Sequence, residues 1–187
     1  MISVKNIQNF AENYPKGKFI TVLTVSFIVF IFFNVYLGVL YENTGYPVPL
    51  LEGQTRFNAE LLRSDFSVLI DSNTLGDYIL IQYLDIGIMI STAIFFTMLA
   101  LYISRKLKSF KWKRKAIIFS ALFPVSSLFD LTENAFLLIM VYNPENFSDW
   151  LAVSYSSSAV LKLLSFIIGL LSLVLIPIIS KLSNEPR

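Results

Sequence analysis

Four ionisable side chains interrupt otherwise apolar stretches of this 187-residue chain, and their types limit the chemistry on offer. Asp85 stands in one stretch, Asp130 and Glu133 share a second, and Lys162 stands in a third. Carboxylates beside a single amine suit general acid–base work, with one carboxyl kept protonated by burial. They also suit the holding of a proton or a cation. Asn34, Gln82 and Asn134 lie in the same kind of stretch and supply neutral groups that can position a ligand.

Much chemistry is excluded. The chain has no cysteine and no histidine. Thiol nucleophiles, thiolate zinc sites and imidazole relays are therefore absent. No spacing of carboxylates singles out a metal, so neither a metal nor another cofactor is expected. No G-x-S-x-G, H-E-x-x-H or phosphate-loop pattern occurs.

The elements that carry these residues are membrane spans. Hydrophobic residues make up 55% of the chain and charged residues 15%, against roughly 25% in soluble domains. The run 19–41 has no charge and rises roughly 34 Å as a helix, enough to cross a hydrocarbon core. It is too long for the apolar region of a signal peptide, and no small-residue cleavage site follows it. Three more runs, at about 78–103, 116–141 and 158–179, are long enough to span despite their charges. The expected fold is all-α, a polytopic four-helix bundle forming one membrane domain.

Lys and Arg set the expected orientation. Arg105, Lys106, Lys108, Lys111, Lys113, Arg114 and Lys115 fill the link between the second and third spans. Lys5, Lys16 and Lys18 precede the first span, and Lys181 and Arg187 follow the fourth. Twelve of the fifteen basic residues thus lie on one side, which the positive-inside rule makes the cytoplasm. Both termini are expected there, in a multi-pass protein of the cell membrane. The basic link is explained by topology, with contact to anionic lipid heads, so no nucleic-acid partner is expected. Trp112 suits the interface on that side.

Residues 1–17 read as a short interfacial helix, broken from the first span by Pro15 and Gly17. The outer loop 42–77 begins with Pro47 and Pro49, which rule out a helix at its start. From about 57 to 70 an amphipathic surface helix is expected, with Phe57, Leu61, Leu62, Phe66 and Leu69 on its apolar face. It would pack for stability or act as a lid. Asn146-Phe147-Ser148 matches a glycosylation sequon, a pattern common by chance.

By position in the spans, Asn34, Gln82, Asp85, Asp130, Glu133, Asn134 and Lys162 share one depth, in the outer half. Asp130, Glu133, Asn134 and Leu137 fall on one helix face, and so do Tyr78, Gln82, Asp85, Met89 and Thr92. Ser158, Lys162, Ser165, Gly169 and Ser172 repeat like a packed seam. A charge at a helix centre costs roughly 2.5–3.5 kcal/mol on insertion scales, so three acids and one Lys need pairing, water or neutralisation. A purely structural network fixing helix order is one reading. A functional site is the other, and the rarity of charge inside membranes favours it.

Leu75-Gly76, Tyr78, Gln82 and Asp85, together with the string Asp130-Leu131-Thr132-Glu133-Asn134, resemble an uncharacterised set of small four-helix prokaryotic membrane proteins with a D-x-x-E-N string in the third helix. The resemblance covers roughly residues 55 to 180. It implies a four-helix fold and a single site made of Asp85, Asp130, Glu133 and Asn134, and no activity.

Three functions fit. The first is an intramembrane site that acts on or binds a lipid or lipid-like ligand, with Asp85, Asp130 and Glu133 as candidate acid–base groups and Lys162 as their electrostatic partner. The second is a non-catalytic subunit, sensor or assembly factor with a membrane partner protein. The third is proton or cation transport, which four helices would need a homo-oligomer to perform.

Overall fold

A computed structural model describes residues 4–183. Arg187 lies outside the described residues. The described residues form nine helices and no strand: α1 (Val4–Asn13), α2 (Lys16–Asn43), α3 (Leu50–Gln54), α4 (Ala59–Asp71), α5 (Leu75–Leu84), α6 (Ile86–Ser104), α7 (Phe110–Ser120), α8 (Leu122–Tyr142) and α9 (Asp149–Leu182). Four stretches are long and apolar enough to cross a membrane: Lys16–Asn43, Leu75–Ser104, Phe110–Tyr142 and Asp149–Leu182. Their outward faces carry apolar side chains such as Phe32, Val35, Leu128, Leu131 and Val174, each at least half exposed. A water-soluble domain would bury such surface.

The breaks between helices have local causes. Pro15 stands at the N-terminal boundary of α2, and Gly17 lies inside α2 rather than in the break. Pro124 has no N–H for the Ser120 carbonyl, and the helix is interrupted at Ala121 between α7 and α8. Asp85 marks the interruption between α5 and α6. Pro177 lies within α9.

Several expected boundaries move. The fourth long helix begins at Asp149, nine positions before 158, because its first turns bury Leu151, Ala152 and Tyr155. Lys111, Lys113, Arg114 and Lys115 lie on α7 rather than in a loop. A helix does form early in the 42–77 segment, since Pro49 occupies the position before α3, where a missing N–H costs nothing.

The helices pack in a chain. α9 packs along α8, α8 against α6, and α6 along α2. α2 and α9 share no extensive contact. Two apolar clusters close the ends. Near α4, Leu62, Phe66 and Leu69 meet Tyr78, Leu137, Met140 and Tyr155. Fully burying a large apolar side chain contributes about 1.5–3 kcal/mol, so α4 is anchored rather than loose. At the opposite, basic end, Ala11 and Phe19 meet Leu101 and Ile117. Lys113 there donates to Glu12 across 2.8 Å, and this bond holds the Glu12 carboxyl below its usual value. Trp112 packs with Leu107, Ala116 and Ile176, with Lys115 Nζ 4.3 Å above its ring.

The face of α4 differs from the expected one. Phe57 and Leu61 are 46% and 43% exposed, and Asp65 joins Ala59, Leu62, Phe66 and Leu69 on the buried side. Asn58 starts α4 by accepting from the Leu61 N–H at 3.1 Å. Phe57 reaches the turn with a φ of 50°, and its N–H donates to Ser156 Oγ at 3.0 Å. A non-glycine residue held there is strained, and this bond to α9 helps hold it.

Candidate functional site

α8 supplies three of the site residues. Consecutive helical positions point about 100° apart, so Glu133 and Asn134 diverge to either side of Asp130. Glu133 turns toward α9, where its Oε2 lies 2.6 Å from Lys162 Nζ. Asn134 turns toward the α5–α6 interruption, where its Nδ2 donates to Asp85 Oδ2 at 2.9 Å. Asp130 lies between them and accepts from Lys162 Nζ at 3.0 Å. One amine therefore serves two carboxylates, and the third carboxylate rests on a neutral amide.

Backbone contacts fix this arrangement. Ser126 Oγ donates to the Lys162 carbonyl, and Ser127 Oγ donates to the Met89 carbonyl, both at 2.9 Å. Small residues let α8 and α9 approach: a Cβ on Gly169 would sit 2.8 Å from the Phe123 ring. Phe123 in turn stacks on Phe96, and Phe166 meets both rings edge-on.

A cavity of about 630 Å³ abuts the cluster. Phe30, Asn34, Leu37 and Gly38 of α2 form one wall, and Lys162, Leu163 and Phe166 of α9 form the facing one. Gln82, Asp85 and Thr92 line it from α5 and α6, and Ser126 and Asp130 from α8. Pro49, Leu50 and Gln54 close it at the α3 end, beside Tyr41 and Glu42.

The expected site residues thus divide. Asp85, Asp130, Lys162, Gln82 and Asn34 face the cavity. Glu133, 1% exposed, and Asn134, 5% exposed, are not among its lining residues and stand behind Lys162 and Asp85. They hold the groups that face the cavity. Asn34 makes no bond to the cluster; its Nδ2 donates to its own helix at Phe30 O, 2.8 Å away. No group of three or more His, Cys, Asp or Glu side chains arranged for a metal ion occurs among the described residues.

Sequence reasoning missed the α2 wall around Gly38 and Tyr41 and the α3 roof. It also missed a second buried polar network. Tyr46 Oη donates to Asp65 Oδ2 at 3.3 Å, and Arg56 Nε lies 3.3 Å from the same oxygen. Arg56 also reaches Glu52 at 3.5 Å, so α3 and α4 are joined through one arginine. Burial pushes the Asp65 carboxyl above its usual value, and Arg56 pulls the other way. Burial also pushes the Tyr46 phenol far up, so it stays a donor. The signal for this network was an acid at 65 among apolar residues at 62, 66 and 69.

Comparison of the chain with protein-family models, curated proteins and solved structures gave no match.

Proposed function

We propose that this chain is a four-span protein of the cell membrane, with both termini cytoplasmic, that binds a lipid or other amphipathic ligand in the cleft between α2 and α9. The orientation follows from Arg105 to Lys115 and the basic residues flanking the first and fourth spans. It puts the Asp85, Asp130 and Lys162 cluster in the outer half of the bundle.

The observation that carries the binding reading is a single cavity with two kinds of wall. Its sides are apolar, from Phe30, Leu37, Leu163 and Phe166, and its polar groups converge at Asp85, Asp130 and Lys162. This is the usual composition of a small-molecule site. Because α2 and α9 share no extensive contact, a tail can enter from the bilayer between them. Transport is less well supported. Toward the basic end, beyond Thr92 and Ser126, the rings of Phe96, Phe123 and Phe166 pack together and fill the interior.

Turnover of the bound amphiphile is the second reading. Asp85 and Asp130 reach one cavity from different helices, an arrangement that acid–base chemistry uses.

Native mass spectrometry of the purified protein tests the binding reading. The wild type should retain an amphiphile adduct, and Gly38→Phe should lose it. Gly38 lines the cavity and nothing lies within 4 Å of a Cβ there, so the new side chain starts in open space and competes with the ligand for it. Absence of any adduct from wild type, with no lipid enriched in its extract, sinks the reading.

A further inference from the structure

Around the Asp85 and Asp130 carboxylates most side-chain donors of the cavity are engaged within the protein, although among the described residues the Thr92 hydroxyl is not. Lys162 Nζ is engaged by Asp130 and Glu133. The Asn134 amide is engaged by Asp85, and the Asn34 amide by Phe30 O. The Gln82 amide donates to Tyr78 O at 3.3 Å. What remains is the other side of each group. Asp85 Oδ1, Asp130 Oδ2, Asn34 Oδ1 and Gln82 Oε1 make no hydrogen bond among the described residues, and all four residues line the cavity. Gln82 is only 8% exposed, and its carbonyl oxygen makes no hydrogen bond among the described residues. These oxygens belong to residues lining the cavity and are available to accept from a ligand there.

Charge points the same way. Asp85, Asp130 and Glu133 oppose Lys162 alone, and Glu42 adds a further carboxylate at the α3 end of the cavity. An anionic head would meet this surplus of carboxylate with no free cation. A neutral head would leave the surplus uncompensated beside a hydrocarbon interior.

We propose that the head group taken by this cavity is a protonated amine: an ammonium that donates to Asp85, Asp130 and Gln82 while its alkyl chain lies between α2 and α9. The proposal rests on the amphiphile-binding reading above and names the ligand class for it. Phe30, Tyr41 and Phe166 line the same cavity, and aromatic walls also suit a cation. The ammonium belongs to the amphiphile, because a free small amine would leave the apolar walls unfilled.

Photo-crosslinking of the full chain in nanodiscs tests this. Diazirine-bearing alkyl probes of one chain length would end in ammonium, sulfate or alcohol. The ammonium probe should label the cavity segments of α2 and α9 at least tenfold more than the other two. Ethanolamine, which carries the amine without the tail, should compete poorly. Asp85→Asn and Asp130→Asn should each cut ammonium labelling about tenfold, since hydrogen bonds to charged groups are worth more than neutral ones. Asn34→Leu, at an exposed position, keeps the test available if either variant misfolds, and it should cut labelling several-fold.

Equal labelling by sulfate or alcohol probes overturns the head-group assignment and leaves the binding reading standing. So does full competition by ethanolamine alone, or labelling unchanged in the variants. Failure of every probe to label these segments overturns both.

Discussion

Glu133 Oε2 lies 2.6 Å from Lys162 Nζ, and the two side chains differ sharply in access: 1% of Glu133 is exposed and 20% of Lys162. The carboxylate depends on the amine more than the reverse. Asp130, the second carboxylate on the same amine, is 14% exposed and faces the cavity, where water can take over.

Lys162→Met therefore strands one buried charge. Breaking a buried pair by removing one partner costs about 3–5 kcal/mol. The lower end is expected, because Lys162 is partly exposed. Glu133→Gln added to Lys162→Met removes the stranded charge and should restore most of the loss. Thermal unfolding in neutral detergent of the wild type and the single and double variants measures the coupling. Additive losses would mean that the pair does not hold α8 to α9.

Gly169 and Gly38 make a matched test of packing. A Cβ at Gly169 meets Phe123 at 2.8 Å, and Phe123 is fully buried between Phe96 and Phe166. The ring cannot retreat, so Gly169→Ala should cost about 1–3 kcal/mol as overpacking. Gly38→Ala meets nothing within 4 Å and should leave stability unchanged or slightly raised. The same unfolding transitions decide it. A harmless Gly169→Ala would show that the α8–α9 seam has slack.

The long apolar runs were legible because helices of that length with so few charges have no other solvent. The inward faces of α5 and α8 were legible from spacing, and Tyr78, Glu133, Asn134 and Leu137 are indeed buried. The division of labour on α8 was not. Spacing puts Asp130, Glu133 and Asn134 on one face, but which of them meets a cavity depends on where α9 and α5 stand. The roof over the cavity was hidden for a different reason. α3 has five residues, too few to show a period. Around α4, Phe57 in the turn before it and Leu61 on it read as packing residues and are exposed, because an apolar residue near a membrane has lipid as well as core to face. The spacing assigned Asp65 to neither face, and Arg56 and Tyr46 account for its burial.

Asp65 also gives the α3–α4 segment a pH dependence. Burial raises its carboxyl above the ordinary aspartate value of 3.8, with Arg56 opposing. A raised folded value means that the folded state binds the proton more tightly than the unfolded one. The contribution to stability is then fully present below 3.8 and is lost as pH rises through the folded value. Acidification from neutral should increase hydrogen-exchange protection over residues 50–71, corrected for intrinsic rates. Asp65→Asn should flatten that trend, while Arg56 keeps Glu52 as a partner. An identical pH trend in wild type and variant would assign the effect to another group.

Orientation can be measured without preparing a background, because the chain contains no cysteine. Lys108 is exposed in the connection before α7, and Glu145 is exposed in the turn after α8. A single crossing stretch, Phe110–Tyr142, separates them, so they must lie on opposite sides of a membrane that this stretch spans. With the basic end cytoplasmic, Glu145→Cys should react with an impermeant maleimide in intact cells. Lys108→Cys should react only after permeabilisation. The reverse pattern would invert the proposed topology and turn the cavity's α3 end toward the cytoplasm. Reaction of both from the same side would remove Phe110–Tyr142 as a span, and with it the placement of Asp130 and Glu133 inside the membrane.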